Sequence, residues 1–264
     1  SFTGHCVHFT IANCSQWKTC CKQCIQLKNY PSCEFVGNVE RNFQRKKSAF
    51  TGVKDMTIVT PSKWLADLVE KSFLNGYSVK VINNGIDTNV FKPTPSDFRK
   101  KNHLENRKII LGVASSWSAA KGLNDFVKLL DDYYKIVLVG LSEKQIKEVP
   151  DNIIKISRTN SAVELAAIYT AADVFLNLTY EDNYPTVNIE AIACGTQVLT
   201  YNTGGSPEIV EKFNGYVVKC GKIEEVAEKI QTLKEFKAEE FCLEIPQFDS
   251  SRATRDYLRL YNGN

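Results

Sequence analysis

No run in this 264-residue chain approaches the roughly eighteen consecutive apolar residues that a membrane-spanning helix requires, and no charged-then-apolar leader opens it. The expectation is a cytoplasmic location. Charge of one sign is lacking as well: 33 Lys and Arg face 30 Asp and Glu, and a net charge of +3 is too balanced to argue for nucleic acid. No Gly-x-Gly-x-x-Gly follows an apolar run. Gly112 and Gly140 stand alone and Gly204-Gly205 lacks a third glycine at the needed spacing, which argues against a dinucleotide-dependent oxidoreductase. Histidine is limited to three residues, with no evident His–carboxylate pair to serve as a general base. A hydrophobic content of 43% is nevertheless enough to bury a substantial core, in one large domain or two modest ones.

What is abundant is cysteine. Six of the nine fall in the first 33 residues: Cys6, Cys14, Cys20, Cys21, Cys24 and Cys33. Without a secretory signal, such a cluster points to metal binding or buried thiols before disulfides. Cys21 and Cys24 have the gap of a zinc knuckle, with Cys6 and Cys14 as completing ligands and His5 and His8 as competitors. A structural zinc is one expectation; reduced thiols packed in a small loop subdomain are the other, and the favoured one.

From Lys108 onward, apolar runs alternate with helical patterns. Strands are expected at Ile109–Val113, Ile136–Val139, Ile153–Ile156, Val174–Leu178 and Val198–Thr200. Helices are expected at Leu123–Leu130, Glu143–Lys147, Ala162–Thr170, Thr186–Cys194 and from Ser206, where Ser-Pro-Glu reads as an N-cap, a first-turn proline and an acidic first turn. The order implies an α/β, Rossmann-like doubly wound parallel sheet, whose ligands bind outside the carboxyl ends of the strands. Residues 1–84 differ: a Cys-rich, strand-poor opening, a basic segment at Arg41, Arg45, Lys46 and Lys47, a strand at Met56–Thr60 and a helix starting near Pro61-Ser62. The basic segment suits an anionic membrane surface but reads more readily as a solvated face. A domain boundary is expected at the turn Asn83-Asn84-Gly85, between 1–84 and 85–264.

The stretch Glu181–Gly195, EDNYPTVNIEAIACG, carries the most chemistry. A buried strand delivers the loop, and Pro185 suits the first helical position or the residue before it. The first peptide N–H groups, those of Thr186 and Val187, then lack intrahelical partners and attract an anion such as phosphate. Asp182 and Glu190 would repel that phosphate, so they are assigned to hydroxyls: Glu190 to a ribose diol, Asp182 to a sugar. The alternatives stay open that Glu181 and Asp182 only complement the helix dipole and that Glu190 is a surface residue.

Taken together, TPSKW at 60–64, NNGID at 83–87, KGL at 121–123, the EDNYP loop with Glu190, and TGGSPE at 203–208 resemble the family 4 glycosyltransferases, retaining enzymes of the GT-B fold. The order and spacing match across nearly the whole chain, and the likeness is greatest to bacterial members that build capsular polysaccharide, exopolysaccharide or lipopolysaccharide. The resemblance implies a nucleotide-sugar donor, UDP- or GDP-linked, a glycan or lipid-linked oligosaccharide acceptor, no cofactor, and metal-independent catalysis, since no Asp-x-Asp motif occurs. It implies a site at the inner face of the membrane, with peripheral contact, for a cytoplasmic enzyme.

Carried over by position, the family's pair of acidic residues matches Asp182 and Glu190, although the first is usually Glu and here Glu181 precedes Asp182. The backbone of Tyr184, Pro185, Thr186 and Val187 would approach the sugar and diphosphate. Lys121 matches the lysine that neutralises the leaving diphosphate, with a solvated lysine as the plain alternative. Where many members carry an arginine six residues before it, this chain has Ser115; Arg158 is the candidate substitute, or else an ordinary surface ion pair. The family's catalytic histidine would fall shortly before SFTGHC, and neither His5 nor His8 matches it. A truncated N-terminal domain is therefore expected, with the last helix, about 249–262, crossing back to it and with donor binding outlasting transfer. A non-catalytic subunit on the same fold is the rival expectation.

Overall fold

The computed structural model describes residues 3, 14–22, 24–25, 27–28, 33, 37–233 and 245–263, in two compact units, Ser1–Asn83 and Asn84–Asn264. The first contains α1 (Val39–Thr51), β1 (Thr57–Thr60), α2 (Lys63–Glu70) and β2 (Ser78–Val81). β1 and β2 pair in parallel, from Thr57 opposite Ser78 to Thr60 opposite Val81. Trp17, Val39, Phe43, Leu65 and Val69 form the core, and Phe43 meets Phe73 edge-on. The helix expected near Pro61-Ser62 begins after Ser62, whose hydroxyl accepts from the Leu65 N–H at 3.1 Å.

The basic segment lies on α1. Val39 and Phe43, four residues apart, bury one face and leave Arg41, Arg45 and Lys47 exposed. Lys46 is the exception to a solvated face: it is half-buried and donates to the Thr3 carbonyl at 2.8 Å. As for the expected zinc, among the described residues no three potential metal ligands gather, so Cys14, Cys21 and Cys24 do not form a group with one another. Cys6, His5 and His8 lie outside the described residues.

The second unit runs α3 (Phe98–Lys101), β3 (Lys108–Val113), α4 (Leu123–Lys128), β4 (Tyr134–Val139), α5 (Glu143–Glu148), β5 (Ile154–Ile156), α6 (Ala162–Ala171), β6 (Val174–Asn177), α7 (Thr186–Ala193), β7 (Gln197–Tyr201), α8 (Ser206–Val210), β8 (Tyr216–Val218), α9 (Ile223–Gln231) and α10 (Ser250–Tyr261). All five expected strands are present, and β8 extends the sheet by a sixth. Every pairing is parallel, in the order β5-β4-β3-β6-β7-β8. The strands are apolar on both sides because helices cover both: Ile109 and Leu111 point toward α6 and α7, while Ile110 joins Phe126 of α4 and Val226 and Ile230 of α9. None of the described helices is long and apolar enough to cross a membrane.

The winding reverses at β3. The chain builds outward through β4 and β5, then returns along α6 to place β6 on the other side of β3. Only Ile110 with Val174 and Leu111 with Phe175 register between these strands. Their pairing stops before their carboxyl ends, where the loops that follow them come together. Such a switch point is where open α/β sheets bind ligands.

Candidate functional site

Lys121 and Asp182 meet at this switch point, 2.9 Å apart between Nζ and Oδ2. Lys121 ends a short 3-10 turn, Ala119–Lys121, in the loop after β3; Asp182 belongs to the loop after β6. The loops are joined directly, since the Tyr180 N–H and the Thr179 hydroxyl both donate to the Ala120 carbonyl, at 2.8 and 3.2 Å. Gly122 makes the approach possible: its φ is +74°, and a Cβ there would lie 2.2 Å from the Leu178 carbonyl oxygen. Trp117 anchors the first loop, donating to the Val139 carbonyl at 2.8 Å and packing edge-on against Phe126.

Asp125, 3% exposed on α4, secures the second loop. It accepts from Tyr180 at 2.6 Å, Tyr201 at 2.9 Å and Lys128 at 2.9 Å. Burial opposes its ionisation, but hydrogen bonds from Tyr180, Lys128 and Tyr201 outweigh it and hold the carboxyl below the ordinary aspartate value. Tyr180, in turn, is held protonated, its pKa pushed up to about 12 chiefly by its bond to Asp125.

Helix α7 starts directly after Pro185, with Thr186 and Val187 as its first residues. Their N–H groups precede the first intrahelical acceptor and so have no partner within the helix. Tyr184 is buried, which raises its pKa to about 12, with the Glu208 charge adding to the effect. Glu190, one turn further, is half-buried and not a surface residue. Burial pushes its carboxyl above the ordinary glutamate range, against hydrogen bonds from Tyr169, at 3.2 Å, and from Thr186.

A buried polar chain locks α7 to the sheet. Asn177 of β6 donates to Asn188 at 2.8 Å, Asn188 donates to Ser206 at 2.6 Å, and Thr200 of β7 lies 2.8 Å from Ser206. Ser206 is therefore not the N-cap expected from Ser-Pro-Glu. It is the first residue of α8, after Gly205, because its hydroxyl is taken by the interior. The glycines before it serve close approach: a Cβ on Gly204 would lie 1.8 Å from the Asp182 carbonyl oxygen, and the Gly205 N–H donates to Asn183.

The remaining expected residues are more peripheral. Ser115 is exposed in the loop after β3, and Arg158 is exposed two residues past β5, with no ion pair among the described residues. The plain reading of Arg158 as a surface ion pair is thus not what is found. Of the adjacent carboxylates, Asp182 turns to Lys121, while the Glu181 contact is made by its backbone carbonyl, which accepts from Thr179. Tyr169, Asn177, Asn188 and Asp125 were not apparent from sequence. A polar residue inside an apolar run, such as Asn177 ending VFLN or Asn188 inside α7, is the signal that could have found two of them. A hollow of about 260 Å³ among His103, Arg107, Asp131 and Lys135 opens at the amino ends of β3 and β4, away from this site.

Residues 94–242 match the family model described as glycosyl transferases group 1. The chain is 26% identical over 163 residues to a processive diacylglycerol alpha-glucosyltransferase of Acholeplasma laidlawii, covering 56% of this chain and 48% of that protein. It is 24% identical over 240 residues to the putative colanic acid biosynthesis glycosyl transferase WcaC of Escherichia coli K12, covering 89% and 56%. It thus spans about half the length of the curated relatives it matches. Among solved structures, sucrose-phosphate synthase from Thermosynechococcus elongatus superposes with a TM-score of 0.71 at 19% identity, over 85% of this chain and 63% of that one. Anabaena HepE, solved with UDP-glucose, superposes at 0.67 and 20% identity, over 79% and 64%. At such identities the structural likeness speaks for the fold, that of the GT-B glycosyltransferases. The family match covers more than half of the chain and contains both loops that meet at the switch point, so the chain belongs to the glycosyl transferases group 1.

Proposed function

We propose that the second unit binds a nucleoside-diphosphate sugar, UDP- or GDP-linked, and that the whole protein transfers the sugar with retention to a glycan or lipid-linked acceptor in cell-surface polysaccharide or glycolipid synthesis. The observation that carries this is the convergence of Lys121, Asp182 and the α7 N-terminus where β3 and β6 part, with Glu190 one turn behind. Lys121 and the leading N–H groups supply positive charge to a diphosphate. Glu190 accepts from the two hydroxyls of a ribose, and Asp182, once the diphosphate has drawn Lys121 away, accepts from the sugar.

In this mechanism the bond from the anomeric carbon to the diphosphate oxygen breaks while Lys121 stabilises the charge on the departing group. The acceptor hydroxyl attacks on the face the diphosphate leaves, and a diphosphate oxygen takes its proton. No side chain of this chain is then required as general base, and neither metal nor other cofactor takes part. HepE, on the same fold, was solved with UDP-glucose, which favours this donor class. The reaction is placed in the cytoplasm, at the inner membrane face for a lipid-linked acceptor, where Arg41, Arg45 and Lys47 of α1 offer contact to anionic headgroups.

A second reading, a nucleotide-binding subunit without transfer, draws on Ser115, where an arginine would have added positive charge. Thermal shift with UDP and GDP tests the donor assignment. One of the two raises Tm for the wild-type chain, and Lys121→Ala cuts that gain. No shift with either, or an equal shift in the variant, refutes the assignment.

A further inference from the structure

We propose that Tyr169 is a positioning residue for the donor, its phenol hydroxyl fixing the Glu190 carboxylate in the orientation that receives both ribose hydroxyls. This rests on the ribose role given to Glu190 above. Tyr169 is fully buried on α6. Its ring packs edge-on against Phe175 at 5.4 Å and Phe91 at 6.4 Å, and its carbonyl accepts from the Thr196 hydroxyl at 2.5 Å. Phenylalanine would fill this space at no polar cost, and a phenol in such a place needs a partner. Its partner is Glu190 Oε2, at 3.2 Å.

The stereochemistry of the carboxylate gives the contact its purpose. Two oxygens offer about four acceptor positions. A vicinal diol needs one on each oxygen, in a single plane of the group. Tyr169 and Thr186 each donate to the group, which opposes its turning about its last bond and leaves two acceptor positions for a diol. Burial also raises the phenol pKa well above the ordinary tyrosine value, with the Glu190 charge adding to it, so the hydroxyl remains a donor. The ring stacking keeps that donor in place independently of any ligand.

Titration calorimetry of the full chain with UDP and GDP, each beside its 2′,3′-dideoxy form, tests this. The wild-type protein should prefer the diol form of the nucleotide it binds. Tyr169→Phe, which keeps the ring, should lose about 10-fold in affinity for the diol form and leave dideoxy binding unchanged. An equal loss for both forms would mark a merely structural role and overturn the proposal, as would a fully retained diol preference. A wild-type protein blind to the diol would refute the ribose role of Glu190 itself, a distinct failure. Should Tyr169→Phe fold poorly, the pair Glu190→Gln with Tyr169→Phe decides, because it lacks the charge that the phenol satisfies. It should bind the diol form no worse than Glu190→Gln alone, and a further drop would contradict the positioning role.

Discussion

A carboxylate that grips a ligand from a half-buried position is costly to the unliganded fold, and Glu190 shows the sign of that cost. Its pKa is raised in the folded protein by burial, so the native state retains a proton that the unfolded chain has released. Stability then falls as pH rises from the ordinary glutamate value to the raised one, and the full cost persists above it. Glu190→Gln should therefore raise Tm at neutral pH, lose that advantage toward about pH 4, and weaken nucleotide binding. Thermal melts across pH with and without UDP or GDP check this; a variant less stable than wild type at neutral pH would refute it. At this scale the sequence was informative where motifs are local. KGL and EDNYP located Lys121 and Asp182, and the helix after Pro185 located Glu190. Tyr169 and Asp125 escaped because the partners that tie them to the site, Glu190 for the one and Tyr180 and Tyr201 for the other, lie 21 and 55 to 76 positions away, and no spacing rule links residues on different helices and strands.

The elements around the site are joined by polar groups as well as by packing. Asn188 holds β6 on one side and α8 on the other, and its loss would leave Asn177 and Ser206 short of a partner in the interior. Asn188→Ala should lower stability by about 1–3 kcal/mol and weaken nucleotide binding by loosening the start of α7. Denaturant unfolding measures the first and titration the second, and a change under about 0.5 kcal/mol would show that the chain of hydrogen bonds carries little. The same network explains where element boundaries were misjudged. Ser206 has the sequence context of an N-cap, but its hydroxyl serves Asn188 and Thr200. β3, β4, β6 and β7 were legible because they lie inside the sheet with apolar runs buried on both faces, and β5, at its edge, because isoleucines flank Lys155, whereas β2, mostly exposed, and β8, a short strand at the other edge, give too weak a pattern.

For the whole molecule, the reversal of strand order at β3 decides where chemistry is possible. A doubly wound sheet was legible from the alternation of strands and helices, but the order β5-β4-β3-β6-β7-β8 was not, since a crossover leaves no mark in local composition. That order carries loops 61 residues apart into one ion pair. With Lys121 and the α7 N–H groups supplying the positive charge, sugar transfer by the full-length protein should proceed at full rate in EDTA, and a strict need for added magnesium or manganese would refute this. The most direct measurement is a crystal structure of this chain with whichever of UDP and GDP binds more tightly. The diphosphate is expected against Lys121 and the N–H groups of Thr186 and Val187, with the ribose hydroxyls on Glu190. A nucleotide ordered elsewhere, with the space between β3 and β6 empty, would contradict the assignment.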